Sequence, residues 1–178
     1  QGKGLLLSSI SDESNSKVVV IGCGEVGKAS IDKAIQIGAS VVAIDLNKET
    51  LTELKNKYED KITTIIGGSE EAKMAVRSAD LVLGAVLLPG RKPPVVIMEE
   101  DIDQMEKGTV IIDVAIDQGG CVENVKPNTH SEPFEIRNGV IVSAIANLPG
   151  AVPKTSSIEL STILQNYIDD LLIEDWFE

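Results

Sequence analysis

The sequence predicts an α/β protein of Rossmann type, a doubly wound, mostly parallel sheet with helices on both faces. Three observations predict it: Val- and Ile-rich runs of strand length recur along the chain, they are continuously apolar, and segments of helical periodicity separate them. Continuous apolarity marks strands buried on both faces, as a parallel sheet covered by helices requires. Regular alternation of strand and helix then selects the doubly wound class. With 178 residues, 43% of them hydrophobic, the chain suffices for one well-buried domain and is short for two. Residues 1–178 are therefore read as a single domain.

The opening QGKGLLLSSI reads as the end of an apolar element running into polar SDESNS, and a first residue Gln1 rather than Met suggests a piece excised from a longer protein. Strands are predicted at 17–22, 40–45, 61–66, 79–86, 109–116 and 139–145. Between the first two, residues 25–37 place Val26, Ala29, Ala34 and Ile37 near one helical stripe, and Gly38 is placed to end the helix. Residues 48–59 carry Leu51, Leu54 and Tyr58 on one face with charges opposite. Ser69 is the expected N-cap of SEEAKMAVRS, with acids in its first turn. MEEDIDQME forms a short helix before Gly108. From Lys154 onward, Ile158, Leu160, Ile163, Leu164, Tyr167, Ile168 and Leu171 recur at helical spacing, predicting a long helix over 155–172.

Two segments interrupt this order. LLPGRKPPVV, residues 87–96, follows a predicted strand and holds three of the seven prolines; residues 117–139 form a long irregular connection ending in an Asn138-Gly139 turn. Ligands of open α/β sheets bind at the carboxyl ends of strands, so both connections are placed to line a site.

The most informative stretch is VVVIGCGEVGKASIDKAIQIGASVVAIDLN. Gly22, Gly24 and Gly27 follow one predicted strand and open a helix, and Asp45 closes the next strand. Gly22 allows a tight turn, Gly24 leaves room where a pyrophosphate must approach, and Gly27 lets helix pack on strand. Backbone N–H groups at the helix start, at Glu25 and Val26, lie where phosphate charge is received. Strand before, helix after and an acid about 20 residues on complete the dinucleotide fingerprint. Asp45 can accept hydrogen bonds from the adenosine ribose hydroxyls and would repel a 2′-phosphate, which favours NAD over NADP; Lys48, the nearest cation, reads as a solvated residue of the next helix. A flavin or another adenosine ligand remains compatible with the same turn. Cys23, inside the turn, reads as a small filler without thiol chemistry.

The net charge of −12 argues against nucleic acid as a partner, because phosphate contacts begin against long-range repulsion. Two cysteines outside any CxxC pair make no disulfide framework, which points to a reducing, cytoplasmic compartment. No run reaches the roughly 18 apolar residues of a membrane span, and no His, Cys and carboxylate cluster has ligand spacing, so neither membrane nor metal is expected.

LVLGAVLLPGRKPP, VIIDVAIDQGG and AIANLPGAVPKTSS, in that order after the glycine turn, resemble the NAD-binding domain of alanine dehydrogenase, over nearly all of residues 1–172. The resemblance implies an oxidoreductase that converts L-alanine and water to pyruvate and ammonia while passing hydride to NAD. It implies that Asp45, with Leu46 beside it, meets the ribose, and that Ala85, Val86, Leu87 and Leu88 form the loop beneath the cofactor. Asn147 and Leu148 would close over the nicotinamide end. It places Asp117 near the nicotinamide and substrate as the catalytic acid, where a carboxylate can orient water or steady a cationic iminium; the alternative for Asp117 is a cap on the Gly119-Gly120 turn. Asp113, within the strand, is open between a site role and satisfying buried backbone donors.

The chain also departs from the family. A separate substrate domain supplies the family's histidine and basic residues, and its substrate domain is missing here, since His130 in NTHSEP belongs to a cofactor-domain loop and reads as structural. The chain alone is therefore expected to bind NAD without turnover. Its partners would be a substrate domain or chain, and further copies of itself through the apolar face of the last helix. The ending DDLLIEDWFE departs as well; its acids read as a solvated tail, with Trp176 and Phe177 covering apolar surface. Two other readings stand beside the dehydrogenase: a stand-alone NAD(H)-binding regulatory module, and the cofactor subunit of a transhydrogenase.

Overall fold

Val18 and Val20 are buried on one face of the first strand and Val19 and Ile21 on the other, the period of two that a sheet imposes. The structure, a computed structural model, describes residues 2–8 and 15–173, with the backbone alone at 166 and 169–173. Most of SDESNS, and Trp176 and Phe177, lie outside the described residues. The chain divides into two compact units, Gln1–Ala146 and Asn147–Glu178.

The first unit is built on a seven-stranded sheet of order β3-β2-β1-β4-β5-β7-β6. Its strands are β1 (Lys17–Ile21), β2 (Ser40–Asp45), β3 (Ile62–Ile66), β4 (Leu81–Gly84), β5 (Val110–Asp113), β6 (Glu135–Arg137) and β7 (Val140–Ser143). All pairs are parallel except β6 with β7. Helices α1 (Glu25–Gln36) and α2 (Lys48–Tyr58) contribute Ile31, Ala34, Leu51 and Leu54 to the core on one face, with Val18, Val20, Val41 and Ala43. Helices α3 (Glu70–Arg77) and α4 (Glu99–Asp103) contribute Ala72, Ala75, Val76 and Ile102 to the other, with Val19, Ile21, Val42 and Val82. Each such Val, Leu or Ile side chain, fully buried, stabilises the fold by roughly 1.5–3 kcal/mol. The expected architecture is the observed one.

Several details differ from expectation. The buried stripe of α1 is Gly27, Ile31 and Ala34, whereas Val26 is 52% exposed and Ala29 is exposed too. The reason is that α1 is seated at Gly27, against the β1 turn, and that contact selects which face points inward. The connection 117–139 is less irregular than expected, because β6 closes it. Asn138 and Gly139 have φ of 49° and 89°, as a two-residue hairpin turn of the favoured twist requires, and β6 pairs back on β7. Strand β5 stops at Asp113, short of the expected 116, because the Asp113 carboxylate turns into the connection that follows. Ser69 does cap α3, its Oγ accepting from the Ala72 N–H at 3.1 Å.

In the second unit a 3₁₀ turn, Leu148–Ala151, leads into α5 (Pro153–Ile173). Ser156 ties them, its N–H donating to Val152 O at 3.0 Å and its Oγ to Pro149 O at 2.9 Å. Ile158, Leu160, Ile163, Leu164, Tyr167 and Ile168 of α5 are all exposed. No helix among the described residues is long and apolar enough to cross a membrane.

Candidate functional site

The strand order reverses at β1. From it the chain winds outward through β2 and β3, then returns to β4 on the other side and continues to β5. The two connections leaving β1 and β4 diverge there, and the crevice between them is where an open α/β sheet binds its ligand. Parallel pairing puts the carboxyl ends of β1, β2, β4 and β5 on one edge, and these ends carry the glycine turn, Asp45, Ala85–Leu87 and Asp117.

Each glycine of the turn has a distinct steric cause. Gly22 has φ of 90°, and a Cβ there would sit 2.6 Å from Ala85 O, so the turn passes hard against the connection after β4. A Cβ on Gly27 would sit 1.9 Å from Gly22 O, so no side chain fits between α1 and the turn. A Cβ on Gly24 would meet nothing within 4 Å. Two glycines are thus demanded by the protein itself, while the third faces open space. Gly24 is also the N-cap of α1 and makes no side-chain capping bond. The first N–H groups of the helix, Glu25 and Val26 among them, therefore have no helical partner and carry the positive end of the dipole. The open, positively polarised end of the helix suits an anion.

Asp45, half-buried at the end of β2, is held by two backbone donors. The Cys23 N–H donates to Oδ2 at 2.6 Å and the Asn47 N–H to Oδ1 at 2.8 Å. A carboxylate has about four lone-pair positions, so acceptor capacity remains for ribose hydroxyls. Asn47 in turn caps α2, accepting from the N–H groups of Glu49 and Thr50 at 2.9 and 3.3 Å. One acid thus joins the glycine turn to the start of α2. Leu46 is 76% exposed beside it, and a Cβ on Gly67 would sit 3.2 Å from Leu46 Cδ2. Burial, with the Asp45 charge adding to it, pushes the Cys23 thiol up to about 12, which agrees with a filler rather than a nucleophile.

After β4, the Ala85 N–H continues the ladder to Ile21 O at 2.8 Å. Val86 is half-buried against the core and Leu87 is 60% exposed. At the end of β5, Asp113 is fully buried. Its Oδ1 accepts from the Ala115 N–H at 3.0 Å, and its Oδ2 from the N–H groups of Cys121 and Val122 at 2.7 and 3.0 Å. Of the two readings left open for Asp113, the structure carries the second: the carboxylate satisfies buried donors. It brackets the segment between Ala115 and Cys121, whose crest is Asp117, exposed in the 3₁₀ turn Ile116–Gln118. The Cys121 thiol, raised by burial and the neighbouring Asp113, lies over Gly84, where a Cβ would be 2.4 Å from Sγ.

The structure thus brings Gly22, Gly24, Glu25, Val26, Gly27, Asp45, Leu46, Ala85, Val86, Leu87 and Asp117 to one edge of the sheet in the first unit. Asn147 and Leu148 belong to the second unit, where Asn147, with φ of 54°, starts the 3₁₀ turn and accepts from the Gly150 N–H at 2.9 Å. His130 is exposed in its loop. Among the described residues no group of three or more His, Cys, Asp or Glu side chains is placed to hold a metal ion. Sequence reasoning missed the supporting layer, Asn47, Gly67, Gly84 and Cys121. The signal for Asn47 was present, as an Asn directly before a helical pattern is a cap candidate.

A family model described as alanine dehydrogenase/PNT, C-terminal domain, matches residues 1–177. Alanine dehydrogenase of Bacillus subtilis is 44% identical over 167 residues, which are 93% of this chain and 44% of that protein. The enzyme of the same name from Mycolicibacterium smegmatis is 39% identical over 98% of the chain and 47% of its own length. A solved structure of L-alanine dehydrogenase superposes with a TM-score of 0.90 at 37% identity, covering 98% of this chain and 48% of that one. A transhydrogenase from Sinorhizobium meliloti shares the fold, with a TM-score of 0.78 at 23% identity over 89% of this chain and 45% of that one. The chain spans about half the length of the curated relatives it matches.

Proposed function

The chain belongs to the alanine dehydrogenase/PNT family as its C-terminal, NAD-binding domain, and from that premise we propose that it is the cofactor half of an enzyme that oxidises L-alanine to pyruvate and ammonia. The observation that carries this reading is the glycine turn, sterically closed at Gly22 and Gly27 and open at Gly24. When bound, NAD accepts the hydride of the substrate. The N–H groups of Glu25 and Val26 receive the pyrophosphate, and Asp45, oriented by Cys23 and Asn47, holds the ribose. Ala85, Val86 and Leu87 form the floor beneath the nicotinamide. Asp117 is the catalytic acid in this reading, its carboxylate orienting the water that hydrolyses the iminium or steadying its charge.

The dehydrogenase reading is preferred to the transhydrogenase one because the curated relatives above are alanine dehydrogenases at 39–44% identity, against 23% for the transhydrogenase structure. A substrate domain or a separate substrate chain supplies the substrate-binding half, and the chain works in the cytoplasm. Fluorescence titration tests the cofactor assignment: saturable NADH binding with much weaker NADPH is expected, and Asp45→Ala should weaken NADH by ~1–3 kcal/mol, as removal of a charged hydrogen-bonding group does. Unchanged NADH affinity in the variant would remove Asp45 from the site.

The exposed apolar side chains of α5 support self-association through that helix. Sedimentation at high protein concentration should show a concentration-dependent oligomer. A lone monomer throughout the range would count against this interface.

A further inference from the structure

Lys92 is an exposed residue whose side chain nevertheless follows a defined course. A Cβ built on Gly119 would sit 2.9 Å from its Cε, 3.1 Å from its Cγ and 3.2 Å from its Cδ. Three consecutive stem carbons at such distances mean that the lysine stem runs along the Gly119 backbone rather than touching it at one end. Gly119, with φ of 108°, closes the turn that carries Asp117. That turn is held by the N–H groups of Gln118, Gly119 and Gly120, which donate to Ala115 O, Ile116 O and Ala115 O at 3.0, 2.9 and 3.1 Å.

The base from which Lys92 reaches is itself fixed. The chain reverses at Leu88–Arg91, where Gly90 has φ of 68° and the Arg91 N–H donates to Leu88 O at 3.1 Å. Pro93, which follows Lys92, is buried, and a proline restricts the residue before it to extended backbone. Beyond it the two connections are joined by the Val96 N–H donating to Cys121 O at 2.8 Å and the Glu123 N–H to Ile97 O at 2.9 Å. Asp113 anchors the Asp117 turn from within, and on its solvent side the Lys92 stem lies over it.

We propose that Lys92 is a positioning residue for Asp117: its aliphatic stem, lying across Gly119, clamps the turn Ile116–Gln118 and ties it to the connection that forms the cofactor floor. This rests on the reading of Asp117 as the catalytic acid. A stem that shields the three turn hydrogen bonds from water keeps the turn closed, and a turn that opens carries its carboxylate away from the reacting atoms, where small displacements are costly. The clamp belongs to the methylenes and not to the charge.

Three variants of the enzyme that joins this domain to its substrate domain test the proposal: Lys92→Ala, which removes the stem, Lys92→Met, which keeps most of it without the charge, and Asp117→Asn. In Lys92→Ala the amides of Gln118, Gly119 and Gly120 should exchange with deuterium about tenfold faster, and kcat should fall by about tenfold with KM for NAD unchanged. Lys92→Met should restore both towards wild type. Unchanged exchange in Lys92→Ala, or failure of Lys92→Met to rescue, overturns the clamp while leaving the role of Asp117 intact. Faster exchange with unchanged kcat overturns the coupling to catalysis. Full activity in Asp117→Asn sinks the reading of Asp117 and the proposal with it.

Discussion

Gly27→Val is expected to destabilise the domain by at least ~1–3 kcal/mol, the usual cost of forcing atoms into filled space, and to abolish NADH binding. The added Cβ would lie 1.9 Å from Gly22 O and 2.9 Å from Gly22 C. Both are backbone atoms, so no rotamer change relieves the contact. Either α1 lifts from β1, exposing the buried Ile31 and Ala34, or the turn opens and its Cys23 N–H leaves Asp45. Gly24→Ala is the matched control. Its methyl meets nothing within 4 Å, so it should keep wild-type stability while obstructing the pyrophosphate. Urea denaturation together with NADH titration separates the two. A Gly27→Val protein with wild-type midpoint and wild-type affinity would show that the helix is not seated at this residue.

Asp117→Asn is expected to lower turnover by about 10²–10⁴-fold in the enzyme that contains this domain, the range that positioned acid–base groups contribute. NADH affinity should be nearly unchanged. Asparagine keeps the shape of the side chain and its capacity to accept a hydrogen bond, so a residue that only caps the Gly119-Gly120 turn would tolerate it. A carboxylate that steadies a cationic iminium would not, because the amide carries no charge. The alternatives separate in kcat at constant cofactor affinity. Retention of full activity would return Asp117 to the role of a cap.

Much of this molecule can be read from residue order because its elements obey local rules. Val18 to Ile21 cannot be anything but a doubly covered strand, and Ser69 before two glutamates cannot easily be anything but a cap. The Asn138-Gly139 pair reads as a turn, yet β6 before it went unread, since three residues with Ile136 exposed carry almost no pattern. The stripe of α1 holds at Ala34 and Ile37 and fails at Val26 and Ala29 for a related reason. Periodicity counts apolar side chains, and the residue that seats the helix, Gly27, has none. The supporting layer of the site was hidden for a third reason. Asp113 holds Ala115, Cys121 and Val122 through backbone N–H groups, and backbone donors have no letter in a sequence.

The placement of Cys23 has a consequence for how the site withstands oxidants. A thiol sits in the middle of a phosphate-binding turn, where a sulfenic acid or a mixed disulfide would wedge α1 away from β1. With the thiol pushed up to about 12, it stays protonated at neutral pH, and the thiolate is the form that reacts with peroxides and disulfides. At 2% exposure the sulfur is also out of reach of solvent. Burial, with the Asp45 carboxylate adding to it, thus also protects the turn, by making the negative charge of a thiolate costly there.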